Sequence, residues 1–137
     1  MAAKEKILMI SGKRKTSIAK ARVISGSGKV IVNKVSHNNL TMMHKLSIEE
    51  PLRIAKKTLK NIDFDILIKV KGGGRESQIE AARLALAKAL VEKTKSLPLR
   101  KAFMDYDKHL LVADVRRKEA NKPGDSKARA NRQTSYR

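Results

Sequence analysis

The chain has no cysteine and no tryptophan, and aromatic residues make up only 3% of its 137 positions. Without cysteine there are no disulfides, no thiolate metal sites and no cysteine nucleophile. So few aromatics argue against the stacking platforms on which single-strand binders hold successive bases. No stretch approaches the roughly 20 apolar residues needed to span a bilayer. The opening MAAKEKILMI lacks the long apolar run of a secretory signal. The expectation is a soluble, cytoplasmic protein with no membrane partner. Acid is also scarce, with 13 Asp+Glu against 32 Lys+Arg and a formal net charge of +19.

That imbalance is the dominant feature of what is present. Concentrating so much charge on one small body costs self-repulsion unless an anion relieves it. A sequence pI near 10.5 puts nucleic acid first among the anions. With few aromatics, phosphates and backbone shape should dominate any such contact. The length suits one domain with one core.

Along the chain, KILMI reads as a short strand and SGKRKT as a turn carrying Lys13, Arg14 and Lys15. SIAKARVI alternates, with Ala19, Ala21 and Val23 on one face and Ile18, Lys20, Arg22 and Ile24 on the other. SGSGK then reads as a turn into a second strand, KVIVNK, which predicts a hairpin. A short helix at the Met-rich centre of VSHNNLTMMHKL is one reading, with Met42 and Met43 as core filler. SIEEPLRIAKKTLKN has a helical period, Ile48, Leu52, Ala55 and Leu59 forming one apolar face. Its start is either a capping box of Ser47 with Glu50 or a first turn marked by Pro51. DFDILIKV alternates with Phe64, Ile66, Ile68 and Val70 inward. Three glycines lead into a long helix whose buried stripe is Ile79, Ala82, Leu86 and Ala89 or Leu90. LPLRKAFMDYD predicts a short helix, and HLLVADV a last strand. From Arg116 the apolar pattern stops. Residues 116–137 hold eight cations and two acids, so they cannot offset their ordering entropy alone. The domain reading is a globular α+β body over residues 1–115 and an extended basic tail over 116–137.

Three groups of residues carry possible chemistry. Gly72, Gly73 and Gly74, flanked by Lys71 and Arg75, lie between a strand and a helix, where free N–H groups attract anions. The same glycines also suit a tight turn needing positive φ, and the spacing matches neither common nucleotide-loop motif. Residues 11–24 carry five cations and no acid: Lys13, Arg14, Lys15, Lys20 and Arg22. With the tail, they point to phosphate binding. His37, His44 and His109 have no metal-ligand spacing. Asp105 and Asp107 precede His109, but nothing supports an acid–base pair there. No metal, cofactor, small-molecule substrate or catalytic residue is expected. Two rivals stay open: a free RNA chaperone or processing factor, and a small-molecule kinase using the glycines for phosphate.

GGGRESQIEAARLALAKAL resembles the signature of the universal small-subunit ribosomal protein S-nine family. Its Gly-rich turn is Gly73 and Gly74, followed by Ser77 and Gln78. Small residues recur at Ala81, Ala85 and Ala87, and Lys88, Ala89 and Leu90 close the motif. GKRKTSIAKARV resembles the family's N-terminal segment, and the stretch from LRKAFMDYD to the final SYR resembles its closing strand and basic tail. The match covers nearly the whole chain. The ending Ser135-Tyr136-Arg137 is similar to archaeal and eukaryotic members, where bacterial ones end in Ser-Lys-Arg.

The resemblance implies an α+β fold like the second domain of ribosomal protein S-five, with a left-handed β-α-β crossover. It implies a non-enzymatic ribonucleoprotein component that supports translation. The implied partners are small-subunit rRNA, neighbouring proteins of the subunit head and P-site tRNA. On this reading the rRNA contacts are Lys13, Arg14, Lys15, Lys20, Arg22, the Lys71-to-Arg75 loop, and Arg116, Arg117, Lys118, Lys122 and Lys127. The tail's Arg129, Arg132, Ser135, Tyr136 and Arg137 reach the anticodon stem-loop. Gln78, Ala81 and Ala85 are expected to pack and shape the turn.

Overall fold

The structure is a computed structural model that describes residues 7–59, 61–121 and 136. Its elements run β1 (Leu8–Arg14), β2 (Ser17–Ser25), β3 (Val30–Val32), β4 (Val35–Ser36), α1 (Met42–Leu59), β5 (Phe64–Lys71), α2 (Arg75–Thr94) and α3 (Leu97–Tyr106). Short 3-10 turns occupy His37–Asn39 and Lys108–Leu110. The five strands form one mixed sheet in the order β1-β2-β5-β3-β4. All pairs are antiparallel except β3 with β5. The α+β class is as the sequence implies.

The alternating strands deliver the core. Ala19, Ala21 and Val23 on β2 and Phe64, Ile66, Ile68 and Val70 on β5 are all buried. They face α2, which packs across β1, β2 and β5, while α1 and α3 pack on α2. The expected α2 stripe is buried, and Ala81, Leu84, Ala85 and Ala87 join it. Full burial of Leu86, Leu90 or Phe103 stabilises by about 1.5–3 kcal/mol each, before ordering costs. The small residues set how closely helix and sheet approach. A Cβ on Gly12 would lie 2.5 Å from the Ala81 carbonyl oxygen and 2.7 Å from the Ala85 nitrogen. Backbone therefore meets backbone here, which is why β1 carries glycine opposite alanines.

Several expectations fail for identifiable reasons. β1 continues through Arg14, so the turn is only Lys15 and Thr16, with Lys15 at φ 50°. The hairpin of β2 with β3 does not form, because β5 lies between them. The loop after β2 is pinned across the start of β5: the Asp65 carboxylate accepts from the backbone N–H groups of Ser27 and Lys29, each at 2.8 Å. Ile66 then donates to the Lys29 carbonyl at 2.9 Å. β3 thus emerges on the far side of β5 and instead makes its hairpin with β4.

Helix α1 starts at Met42, before either expected cap, and holds Pro51 in its interior. Ser47 does not cap it; its hydroxyl donates back to the Met43 carbonyl at 3.0 Å. Met42 and Met43 are not core filler, being 76% and 74% exposed. No last strand exists at residues 109–115. Asp107 caps a 3-10 turn by accepting from the His109 N–H at 2.8 Å, and Leu110 is a single buried anchor. Residues 113–121 take neither helix nor strand.

Candidate nucleic-acid interface

Among the described residues, the helices cover one face of the sheet and the other face is open. Its residues follow from the register. Lys13 opposes Ile18, which opposes Lys71; Ser11 opposes Lys20, which opposes Lys69; Met9 opposes Arg22, which opposes Leu67, and Leu67 aligns with Ile31. Directly opposed residues share a face. Lys13, Lys20, Arg22, Lys69 and Lys71 therefore stand together, separated by apolar side chains. Lys20 and Lys69 are cross-strand neighbours of like charge, a destabilising arrangement without a counter-anion. None of the five forms a salt bridge to an acid among the described residues. Asp65 is the only acid among the strand positions of this face. The Lys29 and then the Ser27 N–H groups hold its carboxyl below the usual range, so it stays ionised on the loop.

Sequence reasoning missed Lys69, although the signal was available. The alternation that turns Ile68 and Val70 inward turns Lys69 outward. Lys34, at φ 69°, borders the same face and was also missed.

Arg14 goes elsewhere. Its guanidinium pairs with Glu80 of α2 and, at 2.8 Å, with Asp114. Arg116 holds the same Asp114 carboxylate at 2.6 Å. Arg14 therefore sits in an internal network beside the start of the expected tail, apart from the open face. Arg117 and Lys118 are exposed in the irregular segment. Lys122, Lys127, Arg129, Arg132, Ser135 and Arg137 lie outside the described residues, and Tyr136 is 94% exposed.

The glycine loop adjoins the Lys15 turn. Gly72 and Gly73 have φ of 78° and 67°, which favours glycine. Ser17 donates to the Gly72 carbonyl at 2.8 Å, and Gln78 Nε2 donates to it at 3.0 Å. The Ser17 and Ser77 hydroxyls lie 2.8 Å apart, and the Gly74 N–H donates to Ser77 Oγ at 3.1 Å. A Cβ on Gly73 would collide with both hydroxyls. Ser77 and Gln78 thus tie the turn, and Ala81 and Ala85 let α2 approach, as their small size implied. Lys71, the three glycines and Arg75 are exposed at this end of the molecule.

Asp107 accepts from Arg83 at 3.2 Å as well as from the His109 N–H, which makes it a structural cap. Among the described residues no group of three or more His, Asp or Glu side chains is placed to hold a metal ion. Nor is any described helix long and apolar enough to cross a membrane.

Fold and charge together define a small α+β module whose uncovered sheet face is suited to a polyanion. The chain belongs to the ribosomal protein S9/S16 family, whose model matches residues 12–137. It is thus a ribosomal protein, a part of the cytoplasmic translation machinery. It is similar to small ribosomal subunit protein uS9 of Methanococcus maripaludis, 45% identical over 135 residues that cover 96% of this chain and 99% of the relative. The same protein of Methanococcus vannielii is 44% identical with the same coverage. These relatives are archaeal, one of the two groups whose members the chain's ending resembles.

Proposed function

We propose that this protein is a non-enzymatic structural constituent of the small ribosomal subunit, holding rRNA of the subunit head. The observation that carries this is the open sheet face, where five cations have no salt-bridged acid among the described residues and two lysines oppose each other. Phosphate contacts there position the protein, and the shape of folded RNA supplies recognition. The Lys15 turn and the Lys71-to-Arg75 loop extend the contact at one end, and Arg117 and Lys118 begin the basic exit. Arg14 contributes indirectly, by holding that exit against the body. Lys122 and Lys127 continue along rRNA, and Arg129, Arg132, Ser135, Tyr136 and Arg137 reach the anticodon stem-loop of P-site tRNA. Family membership supports this reading, as does the tail's charge. The fold is of the ribosomal protein S-five second-domain type, with the β3-to-β5 connection through α1 as its left-handed crossover. Head proteins are its neighbours.

The test is crosslinking in cells, with the attached RNA sequenced and the linked peptides mapped. Peptides of β2 and β5 should join one region of small-subunit rRNA, and the last residues should join rRNA and tRNA anticodon stems. Scattered links over unrelated RNAs would sink this reading in favour of a general RNA chaperone. Deleting residues 127–137 should leave assembly into subunits intact while weakening P-site tRNA binding. Failure of the truncated protein to enter subunits would make the tail an assembly element instead.

A further inference from the structure

The open face is not uniformly polar. Met9, Leu67 and Ile31 lie in one row across it, on either side of Arg22, and Met9 is 62% exposed. They border a shallow hollow of about 450 Å³, with Lys20 and Lys69 on the adjacent row. A volume of that order lies within the ~300–1,000 Å³ of ligand sites.

An A-form RNA duplex cannot use such a surface. Its exterior presents phosphates, riboses and recessed base edges, and pressing aliphatic side chains against phosphates would desolvate charge with no return. An unstacked nucleotide differs. Its base offers an apolar face, its phosphate an anion, and the two lie a few ångströms apart. The hollow offers the matching pair, an aliphatic floor beside a lysine row. Arg22, within the apolar row, adds a planar guanidinium of the kind that stacks on bases. The chain's few aromatics fit a site for one nucleotide better than a platform for a strand.

We propose that this hollow takes an unstacked nucleotide of the bound rRNA, its base on Met9, Leu67 and Ile31 and its phosphates on Lys20 and Lys69. The inference rests on the rRNA-binding reading above and assigns this face to a bulge, loop or junction of the RNA.

The experiment uses the full-length protein and a transcript of the head domain of small-subunit rRNA, with base and backbone reactivity probed in the complex. Leu67→Ala changes a partly buried side chain outside the core. It should weaken binding on the order of tenfold, leave the salt dependence unchanged, and lose protection at one or two unpaired bases. Lys20→Gln with Lys69→Gln should instead lower the salt slope by about two while keeping those protections. As a second readout, a transcript carrying 4-thiouridine at a protected unpaired position should crosslink to the peptide containing Met9 or Leu67. If wild type binds this rRNA but Leu67→Ala matches it in affinity and base protection, the inference is overturned and rRNA binding stands. It is equally overturned if the hollow becomes protected only when another head protein is added, since a protein segment would then be its occupant. If wild type does not prefer this rRNA over unrelated RNA, the broader reading fails first.

Discussion

Arg14 Nη1 lies 2.8 Å from a carboxylate oxygen of Asp114, an ion pair that ties the end of β1 to the chain leaving the body. The side chains are only 16% and 11% exposed. Glu80 of α2 pairs with Arg14 Nε, and Arg116 shares the same Asp114 oxygen that Arg14 contacts. Three parts of the chain, β1, α2 and the exit segment, are therefore joined at one guanidinium.

Asp114 should report on this junction through pH. Hydrogen bonds from the Arg116 side chain and backbone, and then the Arg116 and Arg14 charges, hold its carboxyl well below the ordinary value of 3.8. A carboxyl depressed in the folded state contributes stability that is fully present above its unfolded value and is lost as pH falls below it. Asp114→Asn should lower the melting temperature by a few degrees at pH 7. Its difference from wild type should shrink as pH falls from about 5 towards 2. Thermal unfolding across that range checks it, and a pH-independent difference would count against the pairing.

Gly12→Ala should destabilise by about 1–3 kcal/mol, because the new methyl meets helix backbone that has no side chain to move aside. Gly74→Ala is the contrast. Nothing lies within 4 Å of a Cβ there, and its effect should stay within about 1 kcal/mol. Urea unfolding of the two variants should separate them clearly.

Ser17→Ala leaves the Gly72 carbonyl with Gln78 alone and strips the buried Ser77 hydroxyl of its neighbour. A loss of about 1–3 kcal/mol is expected. Adding Ser77→Ala should cost less than the sum of the two single changes, because the pair acts as one unit. A double-mutant cycle in denaturant measures this, and strict additivity would mean the hydroxyls do not cooperate.

Lys69→Gln should have opposite effects on stability and binding. Removing one of two opposed lysines should stabilise the free protein by about 0.2–1 kcal/mol at low salt, and the gain should fade as salt screens the pair. In the rRNA complex the same change should lower affinity and reduce the salt slope by about one. Unchanged binding would remove this row from the interface.

Much of this architecture was readable in advance where one short segment decides the outcome. The alternation in SIAKARVI and DFDILIKV located two strands and their inward faces, and the glycines before RESQ located the turn and helix start. Distant partners defeated the same reasoning. Nothing in SGSGKVIVNK shows that Asp65 will pin its loop and send β3 past β5. Arg14 reads as one more cation in a basic run because its acid partners, Glu80 and Asp114, lie far along the chain. HLLVADV reads as a short apolar strand, yet Asp107 turns its start into a 3-10 cap. The site was legible in kind, as a basic surface, and incomplete in membership. The alternation of DFDILIKV already turned Lys69 outward, but its place beside Lys20 came only with the register.

The central place of β5 sets a schedule for how this protein comes into being. As the chain is made, β1 and β2 are finished early, but neither β5, the second neighbour of β2, nor its helix cover yet exists. Ala19, Ala21 and Val23 must wait, uncovered, until residues through Thr94 have been synthesised. Contacts so distant in sequence form slowly and leave strand edges open in the interval. The five cations of the finished face are themselves divided, three made before that interval opens and two within it. The nascent hairpin therefore carries only part of the charge pattern, and the complete surface appears only when β5 closes the sheet.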